Sequence, residues 1–166
     1  AVMYANALYK QGFIKEGYKV LKTLLDTAMD FDRSSMYPGV PEYFDNDGRG
    51  LYSYLTGAAS WYMLTMITSV YGVHGELGDL VIEPALMPQQ YNEKGDAKVS
   101  LEFAGHGFDI LVHNPDKLEP GDAHVKRALC DDVKVENVTG NSVRIPKHAI
   151  EMLSTDKCHT VEIYIE

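Results

Sequence analysis

From Ile14 onward the apolar positions Tyr18, Leu21, Leu25 and Ala28 recur at steps of three and four. That spacing places them on one stripe and predicts an amphipathic helix ending near Asp30. Residues 1 to 10 read as the end of an earlier helix, with Gly12 as the break, so the two form a helical hairpin. A third helix is predicted from near Thr56 to about Tyr71. There Trp61, Tyr62, Leu64, Met66, Ile67 and Val70 are apolar on nearly every side, the pattern of a helix enclosed by neighbours. Three helices cannot enclose it. The expectation is that further helices once covered it, and that the hairpin and third helix expose an apolar face without them.

After Gly75 the spacing changes to alternation, the signature of half-buried strands. The predicted strands are 80–82, 97–103, 108–113, 124–131, 133–138, 142–145 and 159–165, with a short helical turn over 147–153. Turn chemistry separates them at Gly105-His106-Gly107, Asn114-Pro115-Asp116, Glu119-Pro120-Gly121-Asp122 and Thr139-Gly140-Asn141. Short strands at hairpin spacing predict an antiparallel sandwich or jelly-roll-like unit. The fold class is therefore α+β, with a helical part over 1–75 and a β part over 76–166.

The chain has 166 residues, 45% of them hydrophobic and 23% charged, which is enough to bury a core. A net charge of −9, spread along the chain, argues against nucleic acid as a partner, because phosphate backbones require a basic stripe. No apolar run reaches the roughly 18 residues of a membrane span. Cys130 and Cys158 lie in separate segments and support neither a disulfide framework nor a zinc knuckle, which fits a reducing cytoplasm. The six histidines are dispersed without metal-ligand spacing, so no metal site is predicted. Asp45-Asn46-Asp47-Gly48 superficially suggests a calcium loop. An EF-hand register would put Tyr43 and Tyr54 where carboxylates are needed, and an Asx-type turn is the better reading. Asn137-Val138-Thr139 fits a glycosylation triplet, but nothing in the chain indicates secretion. The opening Ala1-Val2-Met3-Tyr4 has the character of mid-helix rather than of a start, and reads as a cut.

Chemistry is concentrated between the halves. Thr56 is a good N-cap residue, and Gly57 would let a ligand approach the first backbone N–H groups of the third helix. A hydroxyl beside N–H donors at a positive helix end suits inorganic phosphate, although the same residues also make an ordinary helix start. Tyr43 and Tyr54 could line a sugar subsite, and Arg49 could either pair with an anion or pin its loop.

Pro41-Glu42-Tyr43, Gly48-Arg49-Gly50 and Tyr54-Leu55-Thr56-Gly57-Ala58-Ala59-Ser60-Trp61-Tyr62 together resemble glycoside hydrolase family 94, the inverting glycoside phosphorylases. The branch they look most like contains the cellodextrin and laminaribiose phosphorylases. Tyr71-Gly72-Val73, Gly75-Glu76 and Gly78-Asp79-Leu80-Val81-Ile82-Glu83-Pro84 continue the resemblance, which is strongest over residues 36–84. It implies a parent enzyme with an (α/α)₆ barrel and a jelly-roll-like C-terminal unit. Such an enzyme cleaves a β-glucosidic bond with phosphate and releases a sugar 1-phosphate, without metal or organic cofactor. The resemblance puts phosphate on Thr56 and Gly57 and the bound sugar near Glu42. It also implies a homodimer, with β-glucan oligosaccharide and phosphate or sugar 1-phosphate as partners.

An inverting phosphorolysis needs a general acid for the leaving oxygen, and the family's acid Asp falls upstream of this motif. No catalytic acid is therefore assigned among Asp30, Asp32, Asp45 or Asp47, and the segment by itself is expected to be inactive. Two other readings remain. One is a non-catalytic carbohydrate-binding or scaffold module, which would show an exposed aromatic row on its strands. The other is a related barrel enzyme, either a hydrolase or the phosphorylase-like end of a cyclic β-glucan synthase.

Overall fold

The computed structural model describes residues 1–36, 39–52 and 57–166. The fold is α+β, in two compact units, 1–69 and 70–166. The division falls a little before the expected one, because the strand Val73–Glu76, which alternation did not reveal, belongs to the second unit.

In the first unit α1 (Val2–Lys10) and α2 (Ile14–Met29) form the predicted hairpin. Gly12 reverses the chain at φ +80°, with its N–H on Tyr9 O and the Phe13 N–H on Leu8 O. Gly17 lets the helices approach, since a Cβ there would come within 2.5 Å of the Tyr9 ring. The buried stripe of α2 is Gly17, Leu21, Leu24 and Ala28. It is rotated from the predicted one, and Leu25 is exposed, because the close approach at Gly17 turns that side of the helix inward. Asp30 caps α3 (Phe31–Ser34) by accepting from the Arg33 N–H.

β1 (Tyr43–Phe44) and β2 (Gly50–Leu51) form a small antiparallel hairpin. α4 (Gly57–Thr65) follows and widens into a π-helical turn over Met66–Val70. The buried Asn6 amide on α1 donates to Thr65 Oγ1 at 3.3 Å and Ser69 Oγ at 3.0 Å, holding α1 where α4 changes pitch. α4 is not enclosed all round: Ala58 and Thr65 are buried, whereas Met63 and Leu64 are exposed. Met3 and Tyr4 on α1 are exposed as well, so this unit carries the open apolar surface expected of it.

The second unit contains two sheets. β3 (Val73–Glu76), β4 (Asp79–Ile82), β9 (Val138–Thr139) and β10 (Ser142–Ile145) form one, in the order β3-β4-β10-β9. β5 (Asp96–Phe103), β6 (His106–His113), β7 (Val125–Cys130), β8 (Val133–Lys134) and β11 (Cys158–Ile165) form the other, in the order β5-β6-β11-β7-β8. A short α5 (Lys147–Glu151) lies where the helical turn was predicted.

Two expectations for this unit need correction. The sheets are not wholly antiparallel: β11 inserts between β6 and β7 and runs parallel to β6 from Cys158↔Gly107 to Tyr164↔His113. Alternation reports which face a residue occupies, not the direction of its neighbour, so the sequence could not reveal this. The predicted strand 133–138 is broken, because the chain leaves one sheet and joins the other there. Val135 N–H still bonds to Ala128 O, whereas Asn137 O already accepts from Arg144 N–H. Phe108, Ile110, Val112, Val161 and Ile163 from the larger sheet are fully buried, as are Leu80, Ile82 and Val143 from the smaller one. Among the described residues no helix is long and apolar enough to cross a membrane.

Candidate functional site

Of the six residues singled out by the sequence, Thr56 and Tyr54 lie outside the described residues. The other four, Glu42, Tyr43, Arg49 and Gly57, all belong to the first unit.

The hairpin brings Glu42 to α4. Glu42 N–H faces Tyr52 O at 3.4 Å, one step beyond the Tyr43↔Leu51 pair, so the ladder extends to Glu42. Its Oε2 accepts from Ala58 N–H at 3.1 Å. Both carboxylate oxygens lie 3.9 Å from where a Gly57 Cβ would be, and the Trp61 ring edge is 3.8 Å from that point. A carboxylate therefore sits at the N-terminal end of α4, where helix charge and unpaired N–H groups favour an anion.

Glu42, Gly57, Ala58 and Trp61 line a small cleft with Val2, Met3 and Leu24. Its volume is about 90 Å³, far below the roughly 300–1,000 Å³ of ordinary ligand pockets. The space is too small for a sugar ring. Leu24 and Trp61 reach it because α2 and α4 carry them there, a convergence that periodicity could not show.

Tyr43 and Arg49 are exposed on the hairpin. Asp45 organises the turn by accepting from Asp47 N–H at 3.0 Å and Arg49 N–H at 2.9 Å through Oδ1. Gly48 closes it at φ +86°. This is the Asx-type turn expected from the residues. Arg33 pins the loop from outside, donating from Nε to Asp47 O at 2.7 Å, with its guanidinium where a Gly48 side chain would be. Nothing in the local pattern marks Arg33, which contacts the turn from α3. Elsewhere in this unit, burial pushes the Tyr9 and Tyr62 phenols up, so both remain neutral across the physiological range.

The strands of the second unit offer no aromatic platform for a sugar among the described residues. Phe108 is fully buried, and Phe103 packs against Gly75. Tyr164 stacks on His113 at 4.7 Å and carries the Arg127 guanidinium 4.1 Å from its ring centre. No group of three or more His, Cys, Asp or Glu side chains that could hold a metal is found among the described residues. No protein-family model matches the chain, and no curated protein matches it.

Proposed function

We propose that this chain is the C-terminal part of an inverting glycoside phosphorylase resembling those of glycoside hydrolase family 94. In this reading the first unit is the closing part of an (α/α)₆ barrel and the second a jelly-roll-like unit. The parent enzyme is a cytoplasmic homodimer that cleaves β-glucosidic bonds with inorganic phosphate and needs no further cofactor.

The observation that carries the reading is the meeting of Glu42 with Gly57 and Ala58. Two of the motif stretches behind the resemblance, 41–43 and the described part of the next, 57–62, converge on one helix start beside a small cleft. Phosphate bound to Thr56 and the N–H groups around Gly57 is stabilised by charge-assisted hydrogen bonds and by the helix end. Glu42, on the same edge, turns its second oxygen to a sugar hydroxyl. Exposed Tyr43 and Arg49, together with Tyr54, line the approach for the glucan. The general acid comes from another part of the parent protein, so the segment alone does not turn over substrate.

Thr56→Val in the full-length enzyme tests the assignment. The change keeps the side-chain shape and removes one hydrogen bond to a charged ligand, worth about 1.5–3 kcal/mol, or roughly ten- to a hundred-fold in affinity. The loss is expected in the phosphate dependence, and in use of the sugar 1-phosphate donor, with acceptor affinity nearly unaltered. A folded variant with unchanged phosphate kinetics reduces Thr56 to a helix cap.

A further inference from the structure

His159, at the start of β11, is 1% exposed, and both its ring nitrogens point at an acceptor. Nδ1 lies 2.7 Å from Asp131 Oδ2, and Nε2 lies 2.7 Å from the carbonyl oxygen of Ser154. A neutral imidazole has one N–H and one lone pair. In either neutral tautomer a nitrogen lone pair would face an oxygen lone pair at hydrogen-bond distance, away from solvent. Only the imidazolium satisfies both contacts.

We infer that His159 is a buried imidazolium that latches the turn after β7 to the segment 152–157, and that loss of its ring proton releases that segment. Asp131 is the anionic half of the latch. Besides His159 it accepts from Lys157 Nζ at 2.6 Å and from Thr160 N–H at 3.0 Å. The Lys157 ammonium is first among the contacts that hold the Asp131 carboxyl well below the usual carboxylate range. Lys157 also opposes the imidazolium, and its 58% exposure leaves that repulsion screened by solvent. From β6, the His106 ring centre lies 6.1 Å from that of His159, and its Nδ1 faces the same Ser154 oxygen at 3.4 Å. Burial pushes the adjacent Cys130 thiol up, so it adds no second negative charge.

The latch has a structural load. Cys130 at the end of β7, Asp131 from the turn and Leu153 from the released segment line a cavity of about 460 Å³ with Val133, Ile145 and Ala149. Opening the latch frees two parts of that wall. The latched state is the one in which both ring nitrogens of His159 carry a proton. The depressed Asp131 carboxyl keeps its side of the latch charged until strong acid. This inference is independent of the phosphate site.

Long-range ¹H–¹⁵N spectra of the whole chain, labelled in its histidines, read the ring nitrogens directly. At neutral pH His159 is expected to show two protonated nitrogens, and the signature of a neutral tautomer there overturns the inference. As pH is raised, amide protection across 152–160, corrected for intrinsic exchange, should fall on the order of tenfold together with the loss of that signature. Protection that persists through ring deprotonation overturns the latch. Asp131→Asn keeps the shape and removes the charge, and is expected to give the neutral-tautomer signature at neutral pH while β5 and β6 amides stay protected. An imidazolium that survives this change removes Asp131 from the account, and the wild-type titration decides the matter if the variant does not fold.

Discussion

Glu42 carries the most chemistry of any single described residue, because its carboxylate already occupies the anion-favouring end of α4. A bound phosphate near Gly57 would meet a like charge there, and two such charges about 5 Å apart in a partly solvated site repel by roughly 1–3 kcal/mol. Glu42→Gln in the parent enzyme keeps an oxygen for Ala58 N–H and removes the charge. Phosphate affinity is expected to rise by about five- to a hundred-fold while glucan affinity falls, read as opposite changes in the two KM values. Unchanged phosphate KM would show that Glu42 and phosphate are not neighbours. The resemblance placed Glu42 only near the sugar; its position at the start of α4 comes from the fold.

At the scale of elements, the entry into β3 depends on backbone contact within the second unit. Gly72 has φ +68°, its carbonyl accepts from Glu83 N–H at 3.0 Å, and a Cβ there would overlap the Glu83 backbone. Gly72→Ala should lower stability by more than about 2 kcal/mol, since strain and overlap add. Gly140→Ala, at φ +59° in the open turn between β9 and β10, meets nothing within 4 Å and should cost only the conformational strain of about 1–2 kcal/mol. Equal losses for the two, by chemical denaturation, would remove the overlap argument. The elements themselves were largely legible. α2 and strands β5, β6, β7, β10 and β11 lie within two residues of their predicted bounds, because each has a buried and an exposed face that periodicity reports. What stayed hidden depends on partners distant in the chain: the parallel pairing of β11 with β6, the sheet switch at 135–137, and the pinning of the hairpin turn by Arg33. The motif stretches of the candidate site were visible as residues, but the contact of Glu42 with Ala58 spans sixteen positions and has no periodic signature.

For the whole molecule, the two units differ in how completely they bury their apolar surface. Among the described residues, ten of the thirteen exposed large hydrophobic side chains lie in the first unit. The second unit closes a core from both of its sheets and exposes only Leu77, Val133 and Met152. That contrast fits a helical unit whose outer faces belong to a larger helical assembly, as the proposed barrel requires, beside a β unit that can stand on its own core. It also puts the weight of the functional claim on the intact enzyme, where the small cleft at α4 would be one wall of a larger site. The most direct test is to incubate the full-length protein with cellobiose, laminaribiose and longer β-glucans, with and without inorganic phosphate, and to follow the products by ³¹P and ¹H NMR. Release of an α-configured sugar 1-phosphate that requires phosphate and inverts the β-linkage is expected. Sugar release that proceeds equally without phosphate, yielding only the free sugar, would contradict a phosphorylase.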